Sequence, residues 1–125
     1  FGFALLWDGH SIRSEIPWLF EGKLPDLNMG TASGMSCAPS LREILVDVLR
    51  RTTAFTHAAD GRFKGGYITR RYGRPAENIH AVQLEMCQSL YMRETLPYDY
   101  LPDNAATAIP VLEQLLTTML AWRPR

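Results

Sequence analysis

The first regular pattern along the chain is an apolar run close to its start. Residues 3–9 are almost continuously apolar, interrupted only by Asp8, and polar residues follow from His10. A run of this kind is typical of a central strand that helices cover on both faces. Residue 1 is Phe rather than Met, and this strand begins almost at residue 1. We therefore expect further residues upstream of Phe1.

Two later stretches have the spacing of amphipathic helices. Apolar residues within 41–49 recur at i, i+3, i+4, i+7 and i+8 with charged residues between them, which predicts a helix that begins at about Pro39. A second apolar stripe covers residues 111–120. Its helix begins either near Asp103, with a kink at Pro110, or at Pro110 itself.

Shorter patterns lie between these elements. Residues 79–86 alternate as a strand does, and residues 24–29 and 54–57 are candidates for short strands. Residues 11–38 contain many glycines and prolines, which indicates a long loop region with a functional role. Residues 63–75 combine adjacent glycines with cations between aromatic residues, so their backbone is permissive and their side chains attract anions.

The composition is that of a globular chain. With 125 residues, we expect a single domain over 1–125, and 13 Lys and Arg against 13 Asp and Glu leave no bulk attraction for nucleic acid or a membrane surface. The sequence contains no 18-residue apolar run and no secretory signal. Cys37 and Cys87 lie far apart and have no zinc-finger spacing, so we expect free, buried thiols in a reducing cytoplasm, with a disulfide as the alternative.

Asp8 and His10 stand where the first predicted strand ends, and ligands collect at the carboxyl ends of strands in open α/β sheets. The two-residue period of a strand puts both side chains on one side, where the carboxylate can orient the imidazole of a metal ligand. The alternative is a histidine that makes an ordinary hydrogen bond at a strand end. His57 and His80 are not predicted to be ligands.

Gln83 and Glu85 also share one side of a predicted strand. An ionised carboxylate near the end of a mainly apolar strand is costly unless it meets a metal, a cation or a hydrogen-bond donor. Glu85 is therefore a candidate general base toward a metal-bound water. The alternative is a structural salt bridge to a nearby arginine.

Four cations lie in or beside the glycine-containing loops: Arg13, Lys64, Arg70 and Arg71. The guanidinium group of arginine binds carboxylates through two hydrogen bonds, so these residues suit a small substrate with one or two carboxylates. The alternative for each is a solvated charge on a loop.

Five stretches of the sequence resemble the N-formylglutamate amidohydrolase (deformylase) family of histidine degradation. They are residues 7–14, 19–31, 62–70, 83–85 and 90–92. The family is similar to the zinc carboxypeptidase and aspartoacylase group. The resemblance implies an α/β fold, a partial three-layer sandwich whose mixed, mostly parallel sheet is flanked by helices. It also implies that residues 1–125 are the carboxyl-terminal half of a larger amidohydrolase domain.

The resemblance assigns chemical roles to two of the candidates. His10, followed by Ser11, matches a metal ligand of the wider group, with zinc as the expected metal and the other ligands in the missing amino-terminal part. Glu85 matches the general base. The implied reaction is the hydrolysis of N-formyl-L-glutamate to formate and L-glutamate.

The substrate would be held by the cations, with Arg13 and Arg70 on its two carboxylates and Arg71 as a further candidate. The expected pocket wall, inferred from charge and from membership of the similar stretches, consists of Lys64, Gly65, Gly66 and Tyr67. Two other functions stay open: a catalytically incomplete fragment that binds a small dicarboxylate or a protein partner, and a deacylase for another N-acyl amino acid. A fragment with exposed strand edges is also expected to associate with itself or with its missing half.

Overall fold

The computed structural model describes residues 1–125, which form four strands and three α-helices. Short 3₁₀ helices at Pro75–Glu77 and Gln88–Leu90 flank the last strand. In chain order the main elements are β1 (Ala4–Ile12), β2 (Leu27–Gly30), α1 (Pro39–Arg51), β3 (His57–Ala59), α2 (Tyr67–Tyr72), β4 (Ile79–Cys87) and α3 (Pro102–Ala121).

The strands form one mixed sheet in the order β1-β4-β2-β3. β1 is parallel to β4 and β2 is parallel to β3, whereas β2 and β4 are antiparallel. Two of the three pairings are therefore parallel, and the prediction of a mixed, mostly parallel α/β sheet is confirmed.

Helices lie on both faces of the sheet, as the alternation of side chains along β4 shows. His80 accepts a hydrogen bond from the Ala38 N–H at the start of α1 and packs edge-on against Trp122 at the end of α3. Gln83, on the opposite face, contacts Gly66 just before α2. The sheet thus separates α1 and α3 from the short helix α2.

The main core lies where α1 and α3 pack on the sheet. Leu41, Leu45 and Leu49 are fully buried on one side of α1, as the predicted spacing requires. The same cluster includes, from the sheet and α3, Leu27, Met29, Val82, Leu84, Leu115 and Met119. No helix of the chain is both long and apolar enough to cross a membrane.

The helix predictions are confirmed at their starts. α1 begins at Pro39, whose fixed φ and missing N–H suit the first helical turn. α3 begins at Pro102, next to Asp103, so the first of the two alternatives is correct and Pro110 lies inside the helix.

Four details of the sequence interpretation are wrong. β1 is an edge strand in which no residue is buried, because in this sheet it pairs only with β4. The short strands are shifted to 27–30 and 57–59, because Asp26 and Thr56 bond to each other through their side chains just before the pairing begins. Residues 67–72 of the glycine-rich segment form α2 rather than a loop.

Both cysteines are free and buried, as predicted. Burial raises the pKa of the Cys37 thiol to about 11, with a smaller contribution from the Asp60 carboxylate. Burial likewise raises the pKa of Cys87 to about 11. Both side chains are therefore protonated near neutral pH and behave as small apolar residues.

Candidate active site

The parallel pairing of β1 with β4 brings four polar side chains together. His10 is the register partner of Glu85, and Asp8 is the register partner of Gln83. Alternate residues of a strand share a face, so all four side chains project from the same face of two neighbouring strands. The structure therefore joins the two candidate pairs that the sequence separates widely.

Asp8 and His10 form a hydrogen-bonded pair. The distance between His10 Nε2 and Asp8 Oδ1 is 2.9 Å, and the carboxylate is more shielded from solvent than the ring, with side-chain exposures of 15% and 47%. The bond holds a proton on Nε2 and leaves the lone pair of Nδ1 free. This is the arrangement in which a carboxylate orients an imidazole toward a ligand.

Glu85 is half-buried opposite this pair. Burial raises the pKa of Glu85, the charge interaction with His10 lowers it, and the negative charge of Asp8 raises it again. The net shift is upward. Since a raised pKa makes a carboxylate a stronger base, this environment suits proton abstraction from water near neutral pH.

Gln83 is a member of the site to which the sequence interpretation gave no role. Its Oε1 accepts a hydrogen bond from the Gly66 N–H at 3.1 Å, which joins β4 to the start of α2. A signal for it existed, because Gln83 precedes Glu85 by two residues and so shares its strand face. The resulting pocket of about 270 Å³ is lined by Asp8, His10, Gly66, Tyr67, Ile68, Gln83 and Glu85.

A second and larger pocket, of about 440 Å³, lies beside Gly65. Lys64 and Arg70 supply its two cations, and Arg70 Nη1 donates a hydrogen bond to the Gly65 carbonyl at 3.2 Å. Its remaining lining residues are Ala32, Ser33, Met35, Ser36, Gly65, Thr69 and Gly73. Gly66 lines the first pocket and Gly65 lines the second, so adjacent residues of the chain contribute to both pockets.

Asp60 holds the loop that forms one wall of this second pocket. Its carboxylate accepts hydrogen bonds from the Thr31 N–H at 2.7 Å and the Ser33 N–H at 3.1 Å. It also accepts from the Thr31 hydroxyl at 2.5 Å and from Arg42 Nε at 2.9 Å. Burial alone would raise the pKa of Asp60, but the hydrogen bonds outweigh it and hold that pKa below its ordinary value.

The predicted site residues are therefore divided among three places. His10, Glu85, Gly66 and Tyr67 share the first pocket, and Lys64 and Arg70 share the second. Arg13 is exposed just after β1 and lines neither pocket. The guanidinium of Arg71 lies 5.7 Å from the centre of the Tyr72 ring, also outside both pockets.

The donor set of this chain fits one ligand position of a metal site rather than a complete site. Nδ1 of His10 is free and its ring is oriented by Asp8, as a ligand requires. No group of three or more His, Cys, Asp or Glu side chains in the chain is arranged to hold a metal ion. Structural and catalytic zinc sites use at least three protein ligands.

Comparison with known proteins identifies similar chains. The family model described as N-formylglutamate amidohydrolase matches residues 1–92. N-formylglutamate deformylases from Pseudomonas putida and Pseudomonas aeruginosa are 59% and 51% identical over 122 residues, which are 98% of this chain and 46% of each relative. The chain thus spans about half the length of these relatives.

A solved structure has the same fold. The crystal structure of N-formylglutamate amidohydrolase from Ralstonia eutropha JMP134 superposes with a TM-score of 0.77 at 25% sequence identity. The superposition covers 95% of this chain and 43% of that one.

Proposed function

The chain belongs to the N-formylglutamate amidohydrolase family, and from this premise we propose that it acts in the hydrolysis of N-formyl-L-glutamate to formate and L-glutamate. The observation that carries the proposal is the pairing of His10 with Glu85 across β1 and β4, in one pocket. The proposal includes a cytoplasmic location, which two free cysteines suit, and a role in histidine degradation, as the family resemblance implies.

Glu85 is the general base of the proposed reaction. It takes a proton from water, whose oxygen bonds to the formyl carbon, and the carbon–nitrogen bond then breaks. The proton on Glu85 passes to the departing nitrogen, which gives formic acid and the amino group of L-glutamate. The formic acid proton then passes to the amino group or to solvent, which leaves formate. The upward shift of the Glu85 pKa supports both halves of this role, since the carboxyl must accept the proton and then return it.

His10 is proposed as one ligand of a zinc ion, with Asp8 as the residue that orients its ring. The remaining ligands would come from an amino-terminal segment of the complete protein, as the resemblance to the zinc carboxypeptidase group implies. A zinc ion held there would supply polarisation of the formyl group and a lowered pKa of the attacking water.

One of the two substrate carboxylates is assigned to the cations of the second pocket. Lys64 and Arg70 line that pocket, and Arg70 is fixed at one nitrogen by the Gly65 carbonyl, which leaves its other donors free. Arg13 and Arg71 remain candidates for the second carboxylate. Gly66 and Tyr67 form the wall near the reacting group.

A panel of substrates tests the proposal on the protein expressed from its complete coding sequence. Formate or acetate release is measured from N-formyl-L-glutamate, N-acetyl-L-glutamate and N-formyl-L-alanine, each at equal concentration. We expect the highest kcat/KM for N-formyl-L-glutamate. A higher value for N-acetyl-L-glutamate would identify a deacylase of different specificity, and no turnover of any of the three, with L-glutamate still bound, would identify a dicarboxylate-binding protein.

A further inference from the structure

Gln83 has a fixed amide group with one unused end. The partner of its Oε1 is a backbone N–H, which can only donate, so the oxygen must face Gly66 and the orientation of the amide is determined. Gln83 Nε2 makes no hydrogen bond within the protein. The side chain lines the pocket of His10 and Glu85, so the amide presents a free donor there.

The charge of the pocket explains why a neutral donor is suitable at this position. Asp8 and Glu85 both carry carboxyl groups on the same strand face as Gln83. A lysine or arginine between them would form ion pairs with these carboxylates, whereas an amide N–H stays available to the substrate. The bond to Gly66 holds the amide in place beforehand, so no reorganisation is needed when charge develops.

We propose that Gln83 Nε2 donates a hydrogen bond to the formyl oxygen of the substrate while negative charge develops on that oxygen. This inference rests on the proposed function. It makes Gln83 a catalytic residue that acts in the transition state, in addition to its structural bond with the start of α2.

Two substitutions distinguish loss of the Nε2 donor from two other causes of lost activity, which are added charge and loss of the bond to Gly66. Gln83→Glu keeps an oxygen for the Gly66 N–H but loses the donor, and Gln83→Met loses both without adding charge. Added charge would impair only the first variant, and loss of the Gly66 bond would impair only the second. Loss of the donor impairs both. Gln114→Glu, on the exposed side of α3, is the control for the same change in charge.

The experiment measures kcat and KM for formate release from N-formyl-L-glutamate by the complete protein and these three variants. We expect kcat to fall about 100-fold or more in both Gln83 variants, with KM within about threefold of the unmodified value. Unchanged kcat in either variant would overturn the inference, and so would a raised KM at constant kcat, which indicates ground-state binding only. If either Gln83 variant does not fold, as judged by its thermal unfolding midpoint, the same criterion is applied to the other. Absence of formate release by the unmodified protein would instead refute the proposed function.

Discussion

His10 and Glu85 are direct register partners in the parallel pairing of β1 with β4. The pairing puts the two side chains on one face of the sheet, and each has a polar neighbour two positions earlier on that face. Asp8 holds the His10 ring at 2.9 Å, and Gln83 fixes the Gly66 backbone beside Glu85. Strand pairing alone, without loops, therefore places the His10 imidazole beside the Glu85 carboxyl, whose pKa is raised.

The role of His10 predicts the metal content of the complete protein. His10→Ala removes the proposed ligand and is expected to lower zinc content strongly. Asp8→Asn weakens the orientation of the ring and is expected to reduce zinc affinity about 10-fold to 100-fold. Zinc per protein after dialysis is the measurement. His57→Ala, on β3 outside the pocket, is the matched control and should keep its zinc. Unchanged zinc in His10→Ala would show that this residue is not a ligand.

The lowered pKa of Asp60 predicts that this residue's contribution to stability depends on pH. Asp60→Asn weakens hydrogen bonds from Arg42 and Thr31, so we expect a loss of about 2–3 kcal/mol in the free energy of unfolding at pH 7. Because the pKa of Asp60 is lower in the folded state, its contribution is complete above about pH 4 and is lost as the pH falls through that lower pKa. The unmodified protein should therefore lose more stability between pH 7 and pH 3 than Asp60→Asn does.

Urea unfolding at both pH values provides the measurement for Asp60. Asp103→Asn, an exposed carboxylate in the first turn of α3, is the control and should change the free energy of unfolding by less than about 1 kcal/mol. An equal pH dependence in the unmodified protein and Asp60→Asn would show that the Asp60 network does not contribute in this way.

The lack of a side chain at Gly30 lets β2 lie close to the backbone of Lys64 and Gly65. A Cβ atom at Gly30 would lie 2.5 Å from the backbone nitrogen of Gly65 and the backbone carbon of Lys64. Gly30→Ala must displace this segment, and we expect it to cost about 1–3 kcal/mol and to lower activity. Gly61→Ala is the control, since its nearest contact is the Ala58 Cβ at 3.3 Å. Equal stability of Gly30→Ala and the unmodified protein in urea unfolding would contradict this expectation.

The two cysteines predict slow reaction with thiol reagents. Cys37 and Cys87 are buried with pKa values of about 11, so the thiolate is scarce at pH 7.5 and the reagent has no access. We expect almost no labelling under native conditions and two labels per chain in denaturant, counted by mass spectrometry. Rapid labelling of the native protein would show that these side chains open to solvent.

The parts of the fold that could be predicted from the sequence are those with a long periodic pattern. The spacing of 41–49 identifies α1 because its buried leucines follow the helical period over several turns. β3 has three residues, too few for a pattern, and its place is set by pairing with β2. The edge position of β1 depends on which strands pair, and an apolar run does not encode its neighbours.

The candidate site also has parts that could be predicted from the sequence and parts that could not. The two-residue period correctly joined Asp8 to His10 and Gln83 to Glu85, because neighbours on one strand face need no tertiary information. That Arg70 lines the second pocket while Arg71 lies outside both pockets could not be predicted, since it depends on α2. That helix carries Arg70 toward the second pocket and turns Arg71 toward Tyr72.

The most direct test of the proposed chemistry is the rate of formate release from N-formyl-L-glutamate by the complete protein and its Glu85→Gln variant. Glutamine keeps the size of Glu85 but cannot accept the proton of water, so kcat should fall about 100-fold to 10,000-fold while the zinc content stays the same. Glu113→Gln, an exposed residue of α3, should retain full activity. Formate release by Glu85→Gln at the rate of the unmodified protein would contradict the assignment of Glu85 as the general base.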